Sequence, residues 1–386
     1  MSTQEAGEQQ QLANQAGAPA PKRKIRVGIV GCGEVTQIIH WPSLEHLADR
    51  YEVTALCDVS PRILEELGKR WNVQHLTTDH RQLVTRPEVD AVLVANPNAF
   101  HAEVTLDAIA TGKHVLVEKP MCITRREADE IMAAQKERNV VVQVGYMRRY
   151  APAFLQACEA VRQMASIKFA RVRDFIGSNA LIVNATSRVV RDEHLPEEVK
   201  TDAKAREEAL LEEALGGKPT DVLKRTYSLM LGLSSHDLSA MRELLGMPKG
   251  VLFAARRGTA APGGTGIYLA ATFDYGPYVC QFETGIDRIP RFDAYLEVYG
   301  EEKVVRVQYD TPYVRSLPIR LVITEASSRG GVTKVDAHPA WGDPFVEEWK
   351  AFYENVTDNK APKTSPADFV QDLELFAEMA RQMRET

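Results

Sequence analysis

Features that mark several other classes of protein are missing from this sequence of 386 residues. No apolar run approaches the roughly 20 residues that a membrane-spanning helix needs. The formal net charge of −6 lacks the positive excess on which binding to nucleic-acid phosphates depends. The five cysteines are scattered without Cys-x-x-Cys spacing, which predicts neither a disulfide framework nor a zinc site. We therefore expect a cytoplasmic protein with no metal, no membrane contact and no nucleic-acid partner.

The amino-terminal segment also lacks the apolar core of a signal peptide. It is rich in Gln, Ala, Glu and Gly, so residues 1–22 are expected to form a disordered tail. With 44% apolar residues the rest can bury a sizeable core, and its length favours two domains. The predicted domains are residues 23–148 and 149–386.

Strand-like and helix-like segments alternate through the first predicted domain. Buried strands such as KIRVGIVG (24–31) and YEVTALCD (51–58) are apolar almost throughout. Helices follow them, among them one over 35–47 with a break or kink at Pro42. This alternation predicts an α/β domain with a doubly wound parallel sheet covered on both faces.

The pattern changes after Tyr150, where strands follow one another closely with turn residues between them. APGGTG (261–266) is one such turn, and a final amphipathic helix is predicted over 365–384. The second domain is therefore predicted as α+β, built on a large and mostly antiparallel open sheet. The polar stretch 188–218 is either a lid over a site or a solvated helical excursion, and its composition favours the excursion.

The first chemical signal is the stretch GIVGCGEVT, where the first strand meets the first helix. Gly31 and Gly33 lack a Cβ, which lets a pyrophosphate approach the amide groups of a helix N-terminus. The third position of the usual GxGxxG pattern is Thr36, so the match is partial. Asp58 ends the second strand, where an acid would bind ribose hydroxyls and repel a 2′-phosphate. NAD is thus expected, and NADP stays open because Arg62 could face a phosphate.

Two further strand ends fall at the same edge of the predicted sheet, where ligands of doubly wound sheets bind. Asn96, Pro97 and Asn98 follow one strand and are expected to line the nicotinamide side of the crevice. Lys119 follows the next strand, and from position alone it is either a solvated charge or a working group. His101 is expected to begin a helix and pack on the loop.

Several motifs occur in the order and spacing of a known family. GCGEV, VDAVLVANPNAFHAE, GKHVLVEKP and VGYMRRY together resemble the Gfo/Idh/MocA oxidoreductases. The resemblance implies a Rossmann domain, then an α/β domain whose open sheet builds homodimers or homotetramers. It also implies that Lys119 contacts the substrate hydroxyl and that His236 is the acid/base. The residues expected at the cofactor are Gly31, Gly33, Glu34, Val35, Asp58, Asn96, Pro97, Asn98, His101, Glu118 and Lys119.

His236 was expected in the first turn of a helix capped by Ser234 and Ser235, where a helix N-terminus would keep the imidazole neutral. Relatives resembling inositol dehydrogenase carry carboxylates four residues before and three residues after this histidine. Those positions here are Gly232 and Ser239. Asp237 is adjacent to the histidine, but it lies roughly 100° round the helix and cannot simply substitute. Asp174 is the candidate replacement, and both aspartates are expected near the substrate.

The resulting hypothesis is an NAD-dependent dehydrogenase that oxidises a secondary alcohol of a sugar, inositol or related cyclic polyol. Two alternatives stay open. One is an enzyme of the same family that holds NAD tightly for glycoside cleavage or paired redox cycling. The other is a regulator that binds a dinucleotide without catalysis.

Overall fold

The computed structural model describes residues 23–258 and 266–383. The predicted tail 1–22 and most of the predicted turn 261–266 lie outside the described residues. Within the described part of the chain, no helix is both long and apolar enough to cross a membrane.

A six-stranded sheet forms the first half of the fold, and all of its strand pairs are parallel. The strand order is β3-β2-β1-β4-β5-β6, the arrangement of a dinucleotide-binding Rossmann sheet. Its carboxyl edge brings together the ends of β1, β2, β4 and β5. The strands are β1 (Ile25–Val30), β2 (Tyr51–Cys57), β3 (His75–Thr77), β4 (Ala91–Val94), β5 (His114–Glu118) and β6 (Val142–Gly145).

Helices connect these strands and cover both faces of the sheet. The predicted helix over 35–47 is a π-helical turn, Thr36–His40, that continues directly into a helix with Pro42 in its first turn, so the irregularity expected near Pro42 is this π-helical turn. The short strand β3 and the helix after it were not predicted. The helices are α1 (Trp41–His46), α2 (Pro61–Trp71), α3 (His80–Val84), α4 (His101–Ala110) and α5 (Arg125–Arg138).

An eight-stranded sheet forms the second half, in the order β14-β13-β12-β11-β7-β10-β9-β8. Only the β7–β10 pair is parallel among its described pairs, so the sheet is mostly antiparallel as predicted. The strands are β7 (Phe169–Ile176), β8 (Gly250–Arg257), β9 (Ile267–Asp274), β10 (Val279–Ile286), β11 (Phe292–Tyr299), β12 (Lys303–Tyr309), β13 (Arg320–Ala326) and β14 (Val332–Ala337).

The helices of the second half cover one face of this sheet and reach back to the Rossmann domain. Trp349 is fully buried between the two halves, and its indole N–H donates to His40 Nδ1 at 3.1 Å. The polar stretch 188–218 contains one long helix, α8. The helices are α6 (Pro152–Arg162), α7 (Asn179–Thr186), α8 (Glu197–Leu215), α9 (Asp221–Leu229), α10 (Ser235–Leu245), α11 (Pro344–Thr357) and α12 (Pro366–Met383).

Candidate active site

The turn after β1 has the shape of an anion cradle. Gly31 has φ +95°, and a Cβ there would lie 2.4 Å from the backbone of Ala95 and Asn96, so only glycine lets the two strand ends approach. Gly33 instead faces open space, since a Cβ there would meet nothing within 4 Å. Thr36, at the third position of the glycine pattern, donates its hydroxyl to Gly31 O at 2.6 Å. The turn therefore packs tightly against Ala95 and Asn96 at Gly31 and leaves open space at Gly33. This open space fits a pyrophosphate.

The two glycines give a matched pair of variants. Gly33→Ala should leave the free energy of unfolding unchanged and weaken NAD binding at least about tenfold, because the methyl group enters the open cradle. Gly31→Ala should lower the free energy of unfolding by about 1–3 kcal/mol from backbone strain alone. Urea unfolding and calorimetric titration with NAD measure both effects. A Gly33→Ala protein that binds NAD as well as the parent would place the dinucleotide elsewhere.

Asp58 closes the same turn from the end of β2. Its Oδ2 accepts the Cys32 N–H and its Oδ1 accepts the Ser60 N–H, both at 2.9 Å. Burial raises the pKa of Asp58, and these two backbone hydrogen bonds oppose that shift. Each carboxylate oxygen has a second acceptor position, so a ribose diol can still be bound here.

A cavity of about 180 Å³, which we call the Rossmann-side cavity, lies at the ends of β4 and β5. It is lined by Val35, Asn96, Asn98, His101, Glu118, Lys119 and His236, with further apolar residues. Asn96 Oδ1 is buried there without a hydrogen-bond partner among the described residues. An unpaired buried amide oxygen fits a ligand that brings a donor, such as a carboxamide.

A second cavity of about 210 Å³, the sheet-side cavity, lies against the ends of β7 and β10 and the start of β11. Its walls include Ile176, Ile286, Phe292, Arg148 and Asn179. Lys119, Met147, His236, Pro312 and Tyr313 line both cavities. The two spaces therefore meet at a lysine and a histidine.

Lys119 is held at this junction from two sides. Its Nζ donates to Gly232 O at 2.7 Å, and its backbone N–H donates to Glu118 Oε2 at 3.1 Å. Glu118 is fixed in turn by His40, whose Nε2 donates to Glu118 Oε1 at 2.9 Å because Trp349 occupies its Nδ1. Burial lowers the pKa of Lys119, and the Glu118 carboxylate opposes the shift.

His236 faces Lys119 across the junction. Its Nδ1 is buried and has no hydrogen-bond partner among the described residues. The pKa of His236 lies well below its usual value because of burial first, then the positive charges of Lys119 and Arg148. The imidazole is therefore neutral near pH 7 and able to accept a proton.

The expected reason for this neutrality was wrong. A π-helical turn, Met230–Ser234, joins α9 to α10, so His236 does not lie at a free helix N-terminus. Ser234 makes no capping hydrogen bond, and the Ser235 hydroxyl donates back to Leu231 O. The pKa of His236 is therefore lowered by burial and by two neighbouring cations, and not by a helix N-terminus.

Residues 25–146 match the family model of the oxidoreductase family with an NAD-binding Rossmann fold. The Rossmann domain belongs to the Gfo/Idh/MocA oxidoreductase family. Its open Gly33 cradle, the acceptor Asp58 and the unpaired Asn96 oxygen all fit the dinucleotide that this family binds. This agrees with the fold and family expected from the motifs.

Relatives of the Gfo/Idh/MocA domain differ in how much of the chain they match. The myo-inositol 2-dehydrogenase of Thermotoga maritima is 25% identical over 352 residues, 89% of this chain and 92% of its own length. The uncharacterized oxidoreductase YrbE of Bacillus subtilis is 28% identical over 132 residues, which span 38% of its length. The apo scyllo-inositol dehydrogenase of Lactobacillus casei superimposes with a TM-score of 0.69 at 18% identity, covering 95% of this chain and 98% of its own. At that identity the structural likeness shows the shared fold.

Not every residue expected at the Gfo/Idh/MocA site faces a cavity. Pro97 is exposed and begins the turn before α4. His101 lines the Rossmann-side cavity, but its two ring nitrogens face the carbonyl oxygens of Pro120 and Asn96, each at 2.7 Å. Glu34 points outward to an ion pair with Arg191 at 2.7 Å. These three residues shape the loops on which other residues of the site lie.

Asp174 and Asp237 are fully buried behind the sheet-side cavity, where both pair with Arg148. Arg148 Nη1 donates to Asp237 at 2.6 Å, and its Nη2 donates to Asp174 at 2.9 Å. No hydrogen bond joins either carboxylate to His236 among the described contacts. Arg148 therefore separates the two expected substrate residues from the cavity, and it is a lining residue that sequence reasoning missed.

Replacing Arg148 tests this buried ion triad. Arg148→Met leaves two carboxylates without a cation at positions with no exposed surface. We expect the free energy of unfolding to fall by about 3–5 kcal/mol. The loss should be greater at about pH 8 than at about pH 5, because burial raises the pKa of the Asp237 carboxyl, which loses its charge when it is protonated at the lower pH. Urea unfolding of Arg148→Met and of the charge-retaining Arg148→Lys measures the difference, and equal stability would contradict the triad.

Proposed function

We propose that the protein is an NAD(P)-dependent dehydrogenase that oxidises a secondary alcohol of a sugar, inositol or related cyclic polyol. The observation that carries this proposal is the junction of the two cavities at Lys119 and His236. A bound nicotinamide ring supplies the hydride acceptor. The residues of this chain supply proton transfer and charge.

Each side chain at the junction has one task. The neutral His236 imidazole takes the hydroxyl proton, and its lowered pKa keeps it in the accepting form. The Lys119 ammonium stabilises the negative charge that develops on the substrate oxygen. Gly232 O and Glu118 hold this lysine in place through its ammonium and its backbone.

The substrate class is supported by relatives as well as by the cavity. The Thermotoga maritima relative is a myo-inositol 2-dehydrogenase, and a Bacillus subtilis relative is named scyllo-inositol 2-dehydrogenase (NADP(+)) IolW. The sheet-side cavity combines apolar walls with the polar groups of Arg148, Asn179 and Ser228, a mixture that suits a ring with hydroxyl groups. Gly232 and Ser239 stand where related enzymes have carboxylates, so hydroxyl preference is expected to differ from theirs.

A panel of sugars and inositols assayed with NAD and NADP tests the proposal. The proposed function predicts substrate-dependent growth of reduced nicotinamide absorbance with at least one compound. Turnover of a glycoside without net reduction, with NAD still bound after purification, would favour the cleavage alternative. Dinucleotide binding with no turnover of any compound would favour the non-catalytic regulator.

We also propose that the protein is a cytoplasmic homodimer or homotetramer. All five cysteines are buried thiols, which suits a reducing compartment. The two edge strands of the eight-stranded sheet expose large apolar side chains, Leu252 and Phe253 on β8 and Val332 and Val335 on β14, which contacts with further copies would cover. Light scattering should give twice or four times the mass of the chain, and a monomer at all concentrations would contradict this.

A further inference from the structure

A short segment of the second half crosses the Rossmann domain. This crossing segment, residues 189–194, lies between α7 and α8 in the stretch predicted as a solvated excursion. Val190 is buried and exchanges two backbone hydrogen bonds with the Gln37 side chain, at 2.8 and 2.9 Å. Arg191 donates to Glu34 at 2.7 Å. The segment therefore runs along the glycine turn toward the end of β2.

Asp192 brings a carboxylate to the same turn that Asp58 occupies. The Ser60 N–H donates to Asp58 Oδ1 at 2.9 Å, while the Ser60 hydroxyl donates to Asp192 Oδ2 at 2.5 Å. Ser60 itself is fully buried. One residue thus holds two carboxylates side by side, one from each half of the fold.

A cation of this turn is Arg62, in the first turn of α2. Its side chain is exposed and forms no ion pair among the described residues. The pKa of Asp192 is lowered by the Ser60 hydroxyl first, then by the His194 N–H, and to a smaller degree by Arg62. An arginine at this place is what accommodates a 2′-phosphate in NADP-binding Rossmann domains.

We propose that Asp192 is a second carboxylate at the adenosine ribose subsite and that it selects NAD over NADP. The proposal rests on the proposed function, in which this site binds a dinucleotide. A 2′-phosphate placed there would meet the charges of Asp58 and Asp192 together. Asp192 also attracts the guanidinium of Arg62, which would otherwise be available to the phosphate.

Binding measured without substrate tests this proposal. Asp192→Ser and Asp192→Asn should each bind NADP at least about tenfold more tightly than the parent, because one repelling charge is removed and the Arg62 guanidinium is released to the phosphate. NAD affinity should stay within about threefold of the parent. Asp192→Asn retains an oxygen acceptor for Ser60, so the turn keeps its shape. Glu193→Gln is the matched control, since it removes one charge from the same segment without touching Ser60.

A double variant separates repulsion from the contribution of Arg62. Adding Arg62→Ala to Asp192→Ser should abolish most of the gain in NADP affinity. Unchanged NADP affinity in both Asp192 variants would overturn the proposal, as would an equal gain in Glu193→Gln or a parent protein that prefers NADP. Failure of the parent to bind either dinucleotide is a different result, because it would overturn the proposed function itself.

Discussion

Lys119→Met is expected to lower kcat by about 100- to 1000-fold while NAD affinity stays near that of the parent. Methionine fills much of the same space but carries no charge, so the developing negative charge on the substrate oxygen loses its stabilising cation. In the proposed function, the dinucleotide is held mainly through the glycine turn and Asp58, which do not include the ammonium. Steady-state kinetics and calorimetric titration with NAD separate the two effects.

Lys113→Met is the matched control for this variant. Lys113 precedes β5, the strand that Lys119 follows, and its Nζ donates to the carbonyl oxygens of Arg86 and Val89, which line neither cavity. Its replacement should leave kcat unchanged. Equal turnover in Lys119→Met and the parent would remove Lys119 from the mechanism.

His236→Asn is expected to lower kcat by about 100- to 10,000-fold, the usual contribution of a positioned acid/base. Asparagine keeps a polar side chain at the junction but cannot accept the proton. His46→Asn, at an exposed position of α1, is the matched control and should have no effect. A similar loss in both variants would point to a general defect instead of proton transfer.

The pH profile of alcohol oxidation gives a second test of His236. Because its pKa is lowered, kcat/KM should stay constant as pH falls toward the usual histidine value of about 6.5 and decline only below it. The pKa of Lys119 is lowered as well, so activity should decline at high pH before the usual lysine value of about 10.4. His236→Asn should lose the acid limb and keep the alkaline one. An acid limb that survives in this variant would assign it to another group.

Local sequence patterns predicted many of the strands and helices, because hydrophobic spacing depends only on residues that are close together in the sequence. The apolar strands and the helix over 101–110 follow from hydrophobic spacing, and the site at the ends of β4 and β5 follows from the geometry of doubly wound sheets. Position after a buried strand made Lys119 a candidate but left it open between a solvated charge and a working group, and the family resemblance then favoured the working group.

Residues whose position depends on packing between distant segments could not be predicted. Arg148 and Arg149 are neighbours in one short helical turn, yet Arg148 enters the sheet-side cavity while Arg149 pairs with Glu243 and Asp368. Only the packing of that turn decides which arginine points inward. Asp192 reaches Ser60 across 132 residues of sequence, and no periodicity signals such a contact.

The transfer of a labelled hydride tests the central claim most directly. A substrate found in the sugar and inositol panel is prepared with deuterium on its carbinol carbon and incubated with the protein and NAD. Mass spectrometry should then find the deuterium in the reduced nicotinamide, with loss of this transfer in Lys119→Met and His236→Asn. Consumption of the labelled substrate with no deuterium in the released coenzyme would contradict oxidation at this site.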